Sequence, residues 1–475
     1  MLERRDFYIN GAWVAPSAPN DFPVIDPSSE EQCAVISLGG QADTDAAVAA
    51  ARAAFDGWSQ TPREERVGLI RKLGEIYAAR QEEMAKAMSM EMGAPIDMSR
   101  AQQVGAGSWH IEGFLKAFDS FSFERDYTST EKTLLEPIGV CALITPWNWP
   151  MNQIVLKAVP AIATGCSVVL KPSEVAPLSG LLFAEFMHEA GFPPGVFNMV
   201  NGDGAGVGSQ LSAHPDVDMV SFTGSTRAGI AISKSAADTL KRVSLELGGK
   251  GANIIFEDAG PKAAKQGAIR CFRNSGQSCN APTRMLVHRS RYDAAVEDAA
   301  AVAQSTHVGP ASDEGKHIGP VVSEVQFNKI QGLIEKGMSE ARLVAGGLGR
   351  PDGLNRGYYV KPTVFADVDN TMTIAREEIF GPVLSIIPFE TEEEAVSIAN
   401  DTLYGLTNYI QTEDDEKRRR VARRLRSGMV ETNGQGFAQG SPFGGYKQSG
   451  NGREGGTYGL EEFLEVKAVS GWAAE

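Results

Sequence analysis

The 475-residue sequence is poor in cysteine and histidine, short of positive charge, and has no long apolar run. Its five cysteines (Cys33, Cys141, Cys166, Cys271, Cys279) are scattered, odd in number and without a C-x-x-C pair. That argues against a disulfide framework and fits a reducing compartment. The six histidines include no H-E-x-x-H and no pair at ligand spacing, so no metal site is expected. The best apolar stretch, residues 154–170, is interrupted by Lys157, Pro160 and Gly165, and no membrane span is expected. The opening MLERRDFYIN lacks the apolar segment of a secretory signal, which makes the cytoplasm the expected location. With 45 Lys and Arg against 60 Asp and Glu, the net charge of −15 disfavours nucleic acid or an anionic membrane as the main partner.

Glycine, at 51 residues, is plentiful and points to many tight turns or close backbone approaches. The length exceeds what one hydrophobic core serves, so two or three domains are expected. Up to about Val24 the chain reads as short extended segments. An Ala-rich helix is expected from about Asp43. A second should begin at Thr61-Pro62-Arg63-Glu64, a capping-box pattern with Pro at the first helical position, and stop near Gly93. From Ile138, apolar runs at 139–145, 167–170, 196–200, 218–222 and 243–247 alternate with amphipathic stretches of about a dozen residues. A second alternating block has runs at 253–256, 284–287, 383–388, 406–410 and 429–431. The pattern predicts two α/β domains with parallel sheets and a site in the cleft between them. The charge run from Lys417 to Arg426, preceded by four acidic residues, reads as a solvated or subunit-contacting helix with its dipole complemented.

Several segments have the composition of chemistry. Cys279 lies in Asn274-Ser275-Gly276-Gln277-Ser278-Cys279-Asn280, small and polar, between a helix and a strand. By itself it could be an ordinary loop thiol. Glu246 ends a predicted strand beside Gly248 and Gly249, where α/β proteins place functional groups; alone it could be an exposed terminal carboxylate. Asn148, held in Thr145-Pro146-Trp147-Asn148-Trp149-Pro150, is a rigid amide that could donate to an oxyanion. Lys171-Pro172-Ser173-Glu174, the Gly-rich 202–208 stretch and Phe222-Thr223-Gly224-Ser225 each follow a predicted strand. They could meet ribose or phosphate, although the glycines do not form a G-x-G-x-x-G signature.

Together with Glu377-Glu378-Ile379-Phe380-Gly381-Pro382 and Ser441-Pro442-Phe443-Gly444-Gly445-Tyr446-Lys447, these segments in this order resemble the aldehyde dehydrogenase superfamily over nearly the whole chain. The resemblance implies NAD(P)+-dependent oxidation of an aldehyde to its acid. Cys279 would be the nucleophile, Asn148 and the Cys279 N–H the oxyanion hole, and Glu246 the general base. Lys171 and Glu174 would hold the adenosine ribose, Gly204 and Gly208 border the adenine, and Ser225 meet the pyrophosphate. Glu378 would hold the nicotinamide ribose and Phe380 flank the ring, with Thr145, Trp147, Gly224 and Leu247 completing the cradle. A carboxylate at Glu174 favours NAD over NADP, because it repels a 2′-phosphate; use of both is compatible with the family.

Trp149, Leu156, Ser278, Asn280, Phe437 and Phe443 would line the substrate tunnel. Two departures matter: Leu156 stands where many members have Trp, and Asn280 follows the nucleophile where several have a hydrophobic residue or Cys. A roomier tunnel for a medium or bulky apolar aldehyde is expected, with no evident Arg anchor for a carboxylate. The resemblance further implies a cofactor domain (1–118 and 138–248), a catalytic domain (249–448), and an oligomerisation arm and tail (119–137 and 449–475). The arm's exposed strand near Phe121 to Asp126 suggests a homodimer or homotetramer. A CoA-acylating relative, a thiol esterase and a non-catalytic protein on the same fold are the alternatives.

Overall fold

Both predicted blocks of alternating strands form parallel-rich sheets in the computed structural model, which describes residues 1–472. The last three positions of the expected 449–475 tail lie outside them. The first sheet has eight strands. Its five parallel members are Val140–Ile144, Ser167–Lys171, Phe197–Met199, Met219–Thr223 and Arg242–Glu246. Val140–Ile144 sits between Ser167–Lys171 and Met219–Thr223, so the connections wind one way on its first side and the other way on its second. That reversal opens a crevice at the carboxyl ends of the two central strands. Every residue of Val140–Ile144 is buried. Cys141 and Leu143 face one apolar cluster, and Val140, Ala142 and Ile144 face another. Burial on both faces is why these strands read as continuous apolar runs rather than alternating ones.

The second sheet has seven strands, six of them parallel, with Ala252–Ile255 and Arg284–His288 at its centre. The edge pair Arg342–Ala345 and Thr363–Ala366 was not legible among the predicted strands. Only five residues separate Glu246, the end of one sheet, from Ala252, the start of the other. The carboxyl edge of the first sheet therefore meets the amino edge of the second. A third, antiparallel sheet joins Glu124–Asp126, Glu131–Pro137 and Leu464–Ser470. Its edge strand is fully exposed at residues 124–126, whereas Phe121 turns inward and is buried.

Two local expectations change. Thr61 does not cap the second helix: its hydroxyl donates back to the Gly57 carbonyl at 3.1 Å, and the helix begins at Arg63 after Pro62. The helical stretch is also two helices, Arg63–Ala79 and Gln81–Met92, broken where Arg80 adopts φ −109° and ψ 23°. Gly93 then stops the second at φ 78°. The 417–426 charge run lies mostly in the helix Asp415–Arg424, capped by Asp414, with Leu425 and Arg426 just beyond its end. Among the described residues, no helix is long and apolar enough to cross a membrane.

Candidate active site

The crevice at the sheet reversal collects the loops that follow Ile144 and Thr223, and Glu246 ends the next strand along. Pro150 opens the helix Pro150–Thr164, in which every residue but Asn152 is buried. This helix locks the preceding loop against the sheet. Asn148 is buried there, and its Nδ2 donates to the Gln277 carbonyl at 3.0 Å. An amide carries two such hydrogens, so one remains for an acceptor beside Cys279.

Cys279 follows a sharply bent segment. The helix Ala263–Phe272 ends, and Asn274 and Ser275 take left-handed φ values of 53° and 56°. Such a run costs on the order of 1–3 kcal/mol per non-Gly residue and persists only where surroundings over-determine it. Here they do. Asn274 Nδ2 donates to the carbonyls of Asn148 (3.0 Å) and Gln277 (3.2 Å), and Ser275 Oγ donates to Gly319 O at 2.6 Å. Gln277 Oε1 accepts from Val322 N–H at 2.9 Å, and Trp149 Nε1 donates to Ser278 Oγ at 2.8 Å. The Gly248-Gly249 pair explains how this loop reaches the Glu246 strand. A side chain at Gly249 would collide with the Cys279 carbonyl, and one at Gly248 with the Glu378 carboxylate. The pair lets thiol loop, Glu378 and Glu246 share one cleft.

Electrostatically the cleft is crowded with acid. Glu246 is 2% exposed, and among the described residues neither carboxylate oxygen has a hydrogen-bond partner. Burial, and then the charge of Glu454, push its proton affinity well above the ordinary carboxylate range. Glu454 is itself buried and ion-paired to Lys157, from the helix behind Asn148. Burial also raises the Cys279 thiol, and the carboxylates of Glu378, Glu246 and Glu454 add to this; the Asn280 N–H opposes them. A thiol in that setting needs a proton acceptor to become a nucleophile.

Beside Cys279 lies a cavity of about 480 Å³. Trp149, Leu156, Ser278, Asn280, Phe437 and Phe443, the residues proposed from sequence for a substrate tunnel, all line it. So do Trp109, His110, Arg270 and Arg273, which were not among them. His110 pairs with Asn152 Oδ1 at 2.7 Å, and burial holds its proton affinity down to about 4, so the ring is neutral. Arg270 is engaged by Glu431, whereas Arg273 is exposed and has no ion-pair partner among the described residues. Two arginines thus border this cavity although none stands at a recognised motif position. Both precede Cys279 on a helix and turn that fold back over it, a placement not visible from motif positions.

The family model described as "Aldehyde dehydrogenase family" matches residues 13–469. The chain belongs to the aldehyde dehydrogenase family. It is 50% identical to a 3-succinoylsemialdehyde-pyridine dehydrogenase of a Pseudomonas species, over 99% of each chain. It is 59% identical to a crystal structure of an aldehyde dehydrogenase from Bartonella henselae, with a TM-score of 0.99 and 99% and 100% of the two chains covered. A mutant of aldehyde dehydrogenase C from Pseudomonas syringae, solved with NAD+ and octanal, shares 50% identity at a TM-score of 0.98, covering 99% of this chain and 97% of that one.

A dehydrogenase of this family needs a nucleotide cradle, and the crevice has donors and acceptors of the right kinds. The Lys171 amine donates to Gly202 O (2.6 Å), Pro172 O (3.0 Å) and Glu174 (3.4 Å), which sets lysine and carboxylate side by side after one strand. Space beside Gly204 is open, and Gly208 sits over Lys171. Ser225 caps the helix Thr226–Ala236 with its own oxygen, leaving that helix's first N–H groups facing the crevice next to Gly224. The buried hydroxyls of Thr145 and Thr226 are unpaired by any described group, and such atoms call for a polar ligand. Leu247 packs against Gly229 of the same helix. Across the cleft, Glu378 Oε1 accepts from Gly249 N–H at 2.8 Å, and Phe380, at φ 57°, meets Trp147 edge-on at 5.4 Å. These groups could hold a dinucleotide. Sequence reasoning missed Lys157 and Glu454. The helical spacing of Gln153, Leu156 and Lys157 could have flagged the first; nothing local marks the second.

Proposed function

We propose that this aldehyde dehydrogenase converts an aldehyde, NAD+ and water into the carboxylic acid and NADH. The observation that carries the reading is the close approach allowed by Gly249. It sets the Cys279 loop against the glycine turn that follows the strand of an unpaired, proton-avid Glu246, and Asn148, tied to the same loop at Gln277, keeps one amide hydrogen spare. Lys171, Glu174, Gly204, Gly208, Ser225 and Glu378 would hold the cofactor, with Thr145, Trp147, Gly224, Leu247 and Phe380 around it. Bound NAD+ supplies the hydride acceptor. Glu246 takes the thiol proton as Cys279 Sγ adds to the aldehyde carbon, and the alkoxide formed takes hydrogen bonds from Asn148 and the Cys279 N–H; each such donor is worth roughly 10²-fold or more. Collapse with loss of the former aldehyde hydrogen as hydride leaves a thioester on Cys279. Glu246, once that proton has passed to solvent, takes a proton from water, whose oxygen opens the thioester and frees the Cys279 thiolate.

The aromatic walls and the cavity volume favour a medium-length or ring-bearing aldehyde, with Arg273 able to meet an acceptor at its far end. Glu174 favours NAD+ over NADP+. Residues 1–118 with 138–248 would serve as cofactor domain and 249–448 as catalytic domain. The exposed strand at 124–126 would join subunits in a cytoplasmic homodimer or homotetramer. A panel of acetaldehyde, octanal and aromatic aldehydes, each with NAD+ and NADP+, tests this by absorbance of reduced cofactor. Higher kcat/KM for octanal and aromatic aldehydes with NAD+ is expected. Absence of reduced cofactor with every aldehyde overturns the activity, and equal efficiency for acetaldehyde overturns the substrate reading.

A further inference from the structure

The nucleophile loop is tied on its far side as well, by residues outside the family motifs. Tyr409 and Glu431 are direct partners on adjacent parallel strands, Thr407–Gln411 and Met429–Thr432. Arg270, from the helix that leads into the Cys279 loop, lies over both. Its guanidinium carbon is 4.5 Å from the Tyr409 ring centroid, and it holds the Glu431 carboxylate with two nitrogens, one at 2.7 Å. The Tyr409 hydroxyl donates to the carbonyl of Asn280, the residue after the nucleophile. Tyr409 and Glu431 are each 2% exposed, so the cluster is fixed by packing as well as by charge. Burial keeps the phenol protonated, hence a donor, through neutral and mildly alkaline pH.

We infer that Tyr409, braced by Arg270 and Glu431, is a positioning residue that fixes the Cys279-Asn280 backbone for attack. The Cys279 carbonyl lies close against Gly249, and the Asn280 carbonyl accepts from Tyr409, so both peptide groups after the thiol have a close neighbour. Arg270 and Glu431 also line the substrate cavity, but Tyr409 does not. Its influence therefore reaches the reaction through the backbone and not through substrate. Misplacement of a reacting group by about 1 Å can cost roughly 100-fold, and loss of one hydrogen bond permits a fraction of that.

This rests on Cys279 being the nucleophile, so the test has a readout independent of aldehyde oxidation. In the full-length Tyr409→Phe protein, kcat for octanal with NAD+ should fall about tenfold with KM within twofold. The rate of Cys279 alkylation by iodoacetamide, followed by peptide mass spectrometry, should change by at least threefold. Arg270→Gln, at a side chain about one third exposed, is the second variant should Tyr409→Phe not fold, and kcat should fall roughly threefold. Folded Tyr409→Phe with kcat and alkylation both within twofold of the parent overturns the inference. So does a change confined to KM, which would make the cluster a substrate wall alone. If the parent oxidises no aldehyde, the alkylation ratio still decides the positioning role, while the proposed reaction fails separately.

Discussion

The loop that carries Cys279 and the strand that carries Glu246 face each other across one cleft, and they are finished in opposite ways. Around the thiol, side-chain and backbone groups are tied one to another: Asn274, Ser275, Gln277, Ser278 and Asn280 each engage a partner from a different part of the chain. At the strand end, a carboxylate is buried and left unpaired. Leaving a carboxylate buried and unpaired is costly, and its cost appears as raised proton affinity. The difference separates two tasks. In the proposed reaction Cys279 as nucleophile must be in the right place, which fits its over-determined backbone. In the same proposal Glu246 as base must be ready to accept a proton, which fits oxygens free of donors.

The largest expected effect breaks the comparison at the thiol. Cys279→Ala should lower aldehyde oxidation, and any hydrolysis of a p-nitrophenyl ester, by roughly 10⁴-fold or more. Melting temperature should stay close to the parent, because the loop's ties involve other residues. Retained esterase activity would mean that another group attacks. The second effect breaks it at the base. Glu246→Gln keeps the shape and removes the proton acceptor, and steady-state turnover should drop about 10²- to 10³-fold. Because burial and Glu454 raise the proton affinity of Glu246, parent kcat should fall as pH is lowered, at a pH above the ordinary carboxylate range. Below that pH the base is neutral and cannot act. The acid limb should vanish in Glu246→Gln, and its persistence would assign it to another group.

Much of this contrast was legible in the sequence, and its limits have physical causes. The five parallel strands of the first sheet were placed within about one residue, because sheets covered on both faces demand unbroken apolar runs. Cys279 and Glu246 stood out because each sits among small or Gly residues at the end of an element. The edge strand Arg342–Ala345 had weaker patterning, as edges do, and its four-residue neighbour Thr363–Ala366 is short. Thr61 looked like a cap, but its hydroxyl bonds the turn behind it instead. The Lys157–Glu454 pair spans 297 residues, and no local pattern encodes a contact at that separation. Arg270 and Arg273 were hidden differently: they lie near Cys279 in sequence, yet only the turn at 273–276 brings them over the cavity.

The smallest effect sharpens the comparison by tuning the base without touching it. Glu454 is the neighbouring charge that most raises the proton affinity of Glu246, and Lys157 opposes it. Glu454→Gln removes the like charge and leaves Lys157 positive, so Glu246 should release its proton at lower pH. The acid limb of kcat should then move down by about one pH unit, corresponding to about 1.4 kcal/mol of lost repulsion. The single variant also leaves a buried ammonium unpaired, which costs on the order of 3–5 kcal/mol of stability. The double variant Lys157→Met with Glu454→Gln removes both charges. It should recover most of that stability while losing part of the downward shift, since the helpful cation goes with the harmful anion. Profiles of kcat against pH for the three proteins, with melting curves at fixed pH, separate these contributions. An acid limb that stays in place in Glu454→Gln would show that burial alone sets the Glu246 proton affinity.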